Sequence, residues 1–216
     1  MQRIFTQYFY PKTSVDHPFN KGGRADMAQR LWITGYRSYE LGLFSETEPK
    51  YQVIDYALTK LITQAIEDGT TWVITGGQLG IEQMAAKAAI SLKPDYPELN
   101  VALMMPFAHF GNQWKPDNQE KLADLKEQVD FQAPVSDQDY TSPQQLRNYQ
   151  NFMLTHTDGA LLVYDVDNEG KSRYDYDAIM HWQENHTYPL QLVDFDQLQE
   201  YSYEFQENSK KGFNLD

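Results

Sequence analysis

Residues 71–92 read TWVITGGQLGIEQMAAKAAISL, and this stretch decides the fold. It opens with a continuous apolar run rich in β-branched and aromatic side chains, which is typical of a strand buried on both faces. It ends with apolar side chains at spacings of three and four, among them Ile81, Met84 and Leu92, which predicts a helix. Between the two lies a turn with Gly76, Gly77 and Gly80. The stretch therefore predicts a strand, a glycine turn and a helix, the repeating unit of a parallel α/β sheet.

The same alternation extends in both directions from this stretch. Further strands are predicted at 31–34, 101–105, 131–133, 160–164 and 190–193, and further helices at about 50–68, 117–129, 142–155 and 174–185. The strands are continuous apolar runs, and strand and helix alternate along the chain. The sequence therefore predicts an α/β fold, a single Rossmann-like three-layer domain with a mostly parallel sheet and right-handed crossovers. A chain of 216 residues is long enough to bury a core in one such domain.

Both ends of the chain depart from this pattern. Residues 1–26 carry two prolines and a Gly-Gly pair without a sustained helical or strand period. A Lys-Gly-Gly tripeptide within them can be encoded by a stretch that resembles a bacterial ribosome-binding site. These residues are therefore either a disordered extension of a chain that starts at Met1 or a translated leader before a start at Met27. Residues 27–200 are predicted as the domain, and 201–216 as a polar, frayed tail.

Composition excludes several classes of protein. The net charge of −13, from 18 Lys and Arg against 31 Asp and Glu, disfavours a nucleic-acid partner, because such binding rests on many cation–phosphate contacts. The absence of Cys excludes disulfides and zinc–cysteine sites. The five His residues lack metal-binding spacing, so the sequence predicts no metal site and no required cofactor. No stretch has the roughly 18–20 apolar residues of a membrane span, and the first residues do not form a signal peptide. We therefore expect a cytoplasmic protein without a membrane span.

The turn at 75–82 is the strongest candidate for a ligand site. Ligands of parallel α/β sheets bind outside the carboxyl ends of the strands, where glycines allow close approach and a helix N-terminus offers unpaired N–H groups to an anion. The turn matches neither the dinucleotide-binding glycine motif nor a P-loop, so glycines with a purely structural role are the alternative. Glu82 either complements the helix dipole or contacts the ligand. Because a carboxylate repels phosphate, a sugar hydroxyl is its better partner.

Polar residues near the neighbouring strands are placed to join this site. Arg37 follows the first strand and suits a bidentate contact to phosphate, with a surface salt bridge as the alternative. Arg147 and Asn148 lie on a helix and project either into the crevice or into solvent. Trp114 stacks on a base or packs in the core. The predicted ligand-binding residues are Thr34, Gly35, Arg37, Gly76, Gly77, Gly80, Glu82, Trp114, Arg147, Asn148, Asp165 and Gly170.

Taken together, these residues resemble the YpsA-like family of Firmicutes, within the SLOG superfamily that includes the DprA and LOG proteins. The resemblance covers nearly all of 27–193 and is carried by 33–36, 40–42, 76–82, 106–107, 147–148 and 162–165, with Trp114 and Gly170. It implies a Rossmann-like fold and a small-molecule nucleotide ligand, with ADP-ribose-like molecules the usual suggestion. It also implies a link to cell division in Gram-positive bacteria, and hence a cell-division protein partner, and the pairing of two copies as a homodimer.

Three classes of function follow from these observations. The resemblance favours a nucleotide-binding regulatory or sensor protein. The alternative is an enzyme that hydrolyses nucleotide N-glycosidic bonds, as LOG enzymes do, with Glu82 and Arg147 as catalytic residues. The turn lacks the Thr and the longer spacing to Glu of the LOG motif, and residues 170–172 read Gly-Lys-Ser where relatives often carry Gly-Gly-Thr. A protein-interaction domain with an empty pocket is the third class.

Overall fold

The structure, a computed structural model, describes residues 28–213. The predicted leader and the candidate starts at Met1 and Met27 lie outside these residues. The described residues form six strands: β1 (Arg30–Gly35), β2 (Trp72–Thr75), β3 (Asn100–Met105), β4 (Phe131–Pro134), β5 (Gly159–Val163) and β6 (Leu190–Val193). Within the same range the structure has six helices: α1 (Pro49–Glu67), α2 (Ile81–Leu92), α3 (Pro116–Gln128), α4 (Pro143–His156), α5 (Arg173–Gln183) and α6 (Phe195–Phe213).

The six strands form one sheet in the order β4-β3-β2-β1-β5-β6, and every neighbouring pair is parallel. In register, Leu31 of β1 lies opposite Val73 of β2, and Thr34 lies opposite Leu162 of β5. The helix α1 packs against α2 and α6, α2 packs against α3, and α4 packs against α5. These contacts define two helical layers with the sheet between them. The predicted Rossmann-like three-layer α/β fold is therefore confirmed.

The core lies on both faces of the central strands, because β1 and β5 are almost entirely apolar. The strand β5 is buried along its whole length, and Trp32 and Ile33 of β1 have no exposed surface. Burying one large apolar side chain contributes about 1.5–3 kcal/mol relative to leaving it exposed. At the amino ends of these strands, Arg30 and Asp158 form a salt bridge of 2.6 Å. At the opposite, carboxyl ends the two strands stay paired as far as Gly35 and Val163.

The sheet reverses its order between β1 and β5. From β1 the chain proceeds outward through β2 and β3 to β4, whereas β5 lies on the other side of β1 and leads to β6. The loops that follow β1 and β5 therefore run in opposite directions from neighbouring strands. In parallel α/β sheets this arrangement leaves a crevice at the carboxyl edge, and ligands bind there.

The segment that the sequence predicts as a polar tail is helical as far as residue 213, because α6 continues through it. Leu198, Tyr201 and Phe205 recur at helical spacing and supply an apolar face within a sequence that is polar on average. The Phe205 ring lies 5.5 Å from the Tyr56 ring of α1, centroid to centroid. Close by, Lys60 of α1 forms a salt bridge with Glu204. The helix is therefore held by its contacts with α1, and it crosses the predicted domain boundary at residue 200.

Two polar clamps join the loop after β1 to the loop after β5. The Tyr36 hydroxyl accepts a hydrogen bond from the backbone N–H of Asp165 at 3.0 Å and donates to the carbonyl of Asn168 at 2.5 Å. The Glu40 carboxylate accepts from the backbone N–H groups of Arg37 at 2.8 Å and Lys171 at 2.6 Å. The two loops that border the crevice are therefore tied to each other.

Candidate functional site

A cleft of about 400 Å³ opens at the carboxyl edge of the sheet, beside the reversal between β1 and β5. Its walls come from the loops after β1, β2 and β3 and from the first turns of α4 and α5. Six of the predicted residues line it, namely Thr34, Gly35, Arg37, Gly76, Glu82 and Arg147. The lining also contains residues outside the predicted ligand-binding set, among them Gln78, Phe110, Tyr140, Tyr149, Gln150, Lys171, Ser172, Tyr174 and Asp175.

Glu82 lies on the floor of the cleft with only 7% of its surface exposed. Its Oε1 accepts a hydrogen bond from the Thr34 hydroxyl at 2.8 Å, and its Oε2 accepts from the backbone N–H of Gln78 at 2.8 Å. Burial, together with the negative charge of Asp175, raises the pKa of Glu82 to about 7 against the opposing effect of the Gln78 N–H group. Glu82 is therefore a carboxyl group able to hold or release a proton near neutral pH.

Asp175 supplies a second carboxyl group beside Glu82. Its Oδ2 lies 3.2 Å from the Thr34 hydroxyl oxygen, and its Oδ1 accepts a hydrogen bond from the Gln150 side-chain amide at 2.8 Å. Desolvation raises the pKa of Asp175, and hydrogen bonds from Gln150 and Thr34 oppose this effect. A hydroxyl group has one proton to donate. Thr34 therefore serves two acidic groups with a single proton.

Two buried hydroxyl groups in the cleft wall lack partners. Tyr149 and Ser172 are 7% and 3% exposed, and within residues 28–213 neither hydroxyl has a hydrogen-bond partner of good geometry. The Tyr149 hydroxyl stands over Gly76, where a Cβ would lie 2.3 Å from it and 2.7 Å from Glu82 Oε2. Burial raises the pKa of Tyr149 well above its usual value, so this hydroxyl stays protonated. Gly76 is thus the glycine that keeps the floor of the cleft open.

Three cationic side chains, Arg37, Arg147 and Lys171, stand on the walls of the cleft. The Arg37 guanidinium has no ion pair or hydrogen bond within residues 28–213. Its positive charge opposes the rise that burial causes in the pKa values of Glu82 and Asp175. Arg147 is exposed, and its Nε donates to the Gln144 side chain at 3.0 Å. The Lys171 ammonium lies 6.0 Å from the centre of the Tyr174 ring. The cleft therefore combines an acidic floor with basic walls.

The glycine turn offers fewer backbone donors than the sequence predicts. The N–H of Gln78 donates to Glu82, that of Leu79 to the Gln78 side chain, that of Ile81 to the Tyr36 carbonyl, and that of Gln83 to the Gln78 carbonyl. The expectation of unpaired N–H groups for a bound anion is therefore wrong for these four. The Glu82 carboxylate takes up one of these donors, the N–H of Gln78, that would otherwise be available to an anion.

Gly77 and Gly80 serve the packing of the turn and do not line the cleft. Gly80 has φ +113°, and a Cβ there would lie 2.5 Å from the carbonyl oxygen of Tyr36. Gly77 has φ +78°, and its Cβ would meet the Leu122 side chain at 3.3 Å. Both positions require the left-handed conformations that glycine adopts freely. Their predicted role in ligand contact gives way to a structural one.

Four further predicted residues lie outside the cleft lining. Asn148 is exposed, because it falls one helical position away from the face that carries Arg147. Its side-chain oxygen accepts a hydrogen bond from Gln144. Trp114 packs against Phe110 and lines a separate groove of about 760 Å³ on the other side of the turn. The Asp165 carboxylate accepts from the N–H of Asp167 at 2.8 Å. Gly170 packs against Tyr36 and Glu40.

A local pattern points to some of the missed residues. Pro143, Leu146, Arg147 and Gln150 recur at spacings of three and four on α4, so the position of Arg147 implies that Gln150 shares its face. No such pattern points to Asp175, which lies 141 positions from its contact Thr34. This contact arises only because β5 pairs with β1 and delivers α5 to the same edge of the sheet.

Residues 28–213 contain no group of three or more His, Asp or Glu side chains placed to hold a metal ion. In that same range, every helix is too short or too polar to cross a membrane.

Comparison with known proteins gives a consistent match over the whole cleft. The model of the YspA SLOG family matches residues 31–198, which extend from β1 into α6. A UPF0398 protein of Lactiplantibacillus plantarum is 56% identical over 187 residues, which cover 87% of this chain and 99% of the relative. The UPF0398 protein of Levilactobacillus brevis is 57% identical over 183 residues, or 85% of this chain and 97% of the relative. That of Pediococcus pentosaceus is 53% identical over 181 residues, or 84% and 99%.

Proposed function

The chain belongs to the YspA SLOG family, and from this membership we propose that it is a regulatory or sensor protein that binds a nucleotide or an ADP-ribose-like nucleotide derivative in the cleft. The position of the cleft supports the proposal, because parallel α/β sheets bind ligands where the strand order reverses. Its size of about 400 Å³ lies within the usual range for small-molecule sites. The proposal extends to a cytoplasmic location, a homodimer and a cell-division protein partner, with no nucleic-acid partner.

The observation that carries the proposal is that the hydroxyls of Tyr149 and Ser172, beside two carboxyl groups, have no acceptor among residues 28–213. Buried polar groups without partners are rare in folded proteins, and their presence in a cleft indicates a ligand that completes their hydrogen bonds. The acidic floor would repel a phosphate, whereas Arg37, Arg147 and Lys171 on the walls would attract one. We therefore place the phosphate of the ligand at the mouth of the cleft and its uncharged part on the floor.

A ligand screen tests this proposal. A nucleotide present at 100 times its dissociation constant should stabilise the protein by about 2.7 kcal/mol, which raises the melting temperature by several degrees. The screen uses AMP, NAD, ADP-ribose and cyclic dinucleotides, with melting followed by differential scanning fluorimetry. The Glu82→Gln variant should lose the shift, and the exposed Glu207→Gln variant should keep it. If no nucleotide shifts the folded wild type, the proposed function is wrong.

The carboxyl pair favours nucleotide N-glycosidase as a second candidate function. Glycosidic bonds are cleaved by two carboxyl groups, one protonated and one ionised, and Glu82 can hold a proton near neutral pH. Glu82 would protonate the leaving base while ionised Asp175 activates the water that adds to the sugar carbon. The partner of Glu82 in this reaction is then Asp175, while Arg147 stands at the wall. Release of free adenine from AMP, lost in both Glu82→Gln and Asp175→Asn, would establish turnover, and its absence would leave binding alone.

A further inference from the structure

The hydrogen bonds of the cleft floor do not balance. Glu82 Oε2 and Asp175 Oδ1 each have their own donor, from Gln78 and Gln150. The two remaining oxygens, Glu82 Oε1 and Asp175 Oδ2, both face the Thr34 hydroxyl at 2.8 and 3.2 Å. Because Thr34 has one proton, one of these oxygens lacks a donor whenever both groups are ionised. The floor is therefore short of a hydrogen-bond donor whenever Glu82 and Asp175 are both ionised.

The cleft wall has the opposite deficit. The hydroxyl groups of Tyr149 and Ser172 are donors that find no acceptor within residues 28–213. A group that completes the site must therefore donate to a carboxylate and accept from a hydroxyl within the same small space. A phosphate only accepts and is repelled by the carboxylates. A cation satisfies the carboxylates but accepts nothing from Tyr149 or Ser172. A hydroxyl group both donates and accepts, as does a bound water, and the sugar hydroxyls are the parts of a nucleotide that replace such a water group for group.

We propose that Glu82, Thr34 and Asp175 bind the two neighbouring hydroxyls of a ribose, so that the protein selects ribonucleotides over 2′-deoxyribonucleotides. Each carboxyl group receives one ribose hydroxyl, and Thr34 lies between the two carboxyl groups within hydrogen-bond distance of both. The inference rests on the proposed function and specifies which part of the nucleotide lies on the floor. It also gives a binding role to Asp175, which is carried by α5 and lies far from the glycine turn in sequence.

Removal of one ribose hydroxyl would leave a buried carboxylate without its donor. A hydrogen bond to a charged group is strong, and a site that binds a hydroxyl rejects the analogue that lacks it. We expect 2′-deoxy-AMP to bind at least about tenfold more weakly than AMP, because losing such a bond costs about 1.5–3 kcal/mol and each 1.4 kcal/mol is tenfold in affinity.

The test is isothermal titration calorimetry of the full chain with two matched pairs, AMP with 2′-deoxy-AMP and ADP with 2′-deoxy-ADP. In Asp175→Asn the preference for the ribose member should fall to less than about threefold. Asp177→Asn is the matched control, because Asp177 is exposed on the same helix and pairs with Arg173, and it should keep the full preference. A thermal melt of each variant without ligand confirms that it is folded.

A second pair of variants covers the case in which Asp175→Asn does not fold. Thr34→Val removes the shared hydroxyl and should abolish the preference, whereas Thr34→Ser keeps the hydroxyl and should retain it. Equal binding of AMP and 2′-deoxy-AMP to the wild type overturns the inference and leaves nucleotide binding intact. If no member of either pair binds, the inference fails together with the proposed function for these nucleotides.

Discussion

Replacement of Gly80 by alanine is expected to lower the free energy of unfolding by about 4 kcal/mol, which is large for a single methyl group. Two effects add at this position. The φ of +113° is strained for any residue with a Cβ. The new Cβ would also lie 2.5 Å from the carbonyl oxygen of Tyr36 and 2.6 Å from the backbone nitrogen of Ser38. Because these are backbone atoms, the loop after β1 must move away from the turn to relieve the contact.

Gly69→Ala is the matched control for this prediction. Gly69 has φ +112°, nearly the same as Gly80, but a Cβ there would meet nothing within 4 Å. The free energy of unfolding that Gly69→Ala loses should therefore reflect backbone strain alone, at about 1–2 kcal/mol. Urea denaturation of both variants measures the two losses. If they are equal, the steric contact costs nothing and the loop moves freely, which would contradict the close packing of the turn against 36–38.

Between pH 4 and pH 8, the free energy of unfolding of Glu82→Gln relative to wild type should change by about 3 kcal/mol. The pKa of Glu82 rises on folding from its usual 4.5 to about 7, at about 1.4 kcal/mol for each pKa unit. The folded state therefore binds the proton more tightly than the unfolded state. The resulting stabilisation is complete below pH 4.5 and is lost as the pH rises through 7. Glutamine does not titrate, so stability relative to wild type should shift in favour of the variant between pH 4 and pH 8.

Urea denaturation of wild type and Glu82→Gln at several pH values measures this difference. Taking the difference cancels the titration of groups that the substitution leaves alone. The side-chain oxygen of glutamine can still accept from the N–H of Gln78, and its NH₂ group can donate to the Thr34 hydroxyl oxygen. The Thr34 hydroxyl is then free to donate its hydrogen bond to Asp175. Glu207→Gln on the exposed face of α6 is the control, and its difference from wild type should stay constant with pH. A constant difference for Glu82→Gln would show that Glu82 is not shielded from solvent as described.

The sequence identified the fold because each central strand is a complete apolar run with its own helix behind it. The strand at 160–164 and the helix at 50–68 need no distant information to be recognised, and the structure contains both as β5 and α1. The helix α6 could not be recognised from the sequence, for a physical reason. Leu198, Tyr201 and Phe205 lie among Gln, Glu and Asn, so the apolar pattern is weak. They stabilise the helix only by packing against α1, as Phe205 does against Tyr56.

The residues of the candidate site also fall into two groups, those recognisable from the local sequence and those that reach the cleft only through the tertiary structure. Gly76 and Glu82 belong to one turn and are recognisable from local chemistry, as is Arg37 after the first strand. Asp175 and Tyr149 reach the cleft through strand pairing that the sequence pattern leaves open, since the strand order could not be predicted. The sequence predicts Arg147 and Asn148 together, as neighbours on one helix, and only the phase of α4 separates the two side chains.

The clamps formed by Tyr36 and Glu40 bear on how fast the cleft can respond. They join the two loops at its mouth through hydrogen bonds between side chains and backbone, so neither loop can move away from the other without breaking them. A binding site without a moving cover captures its ligand at a rate set by diffusion and orientation. For the proposed ligand, the occupancy of the cleft would then rise at the rate of association and, after the concentration falls, decay at the rate at which the complex dissociates.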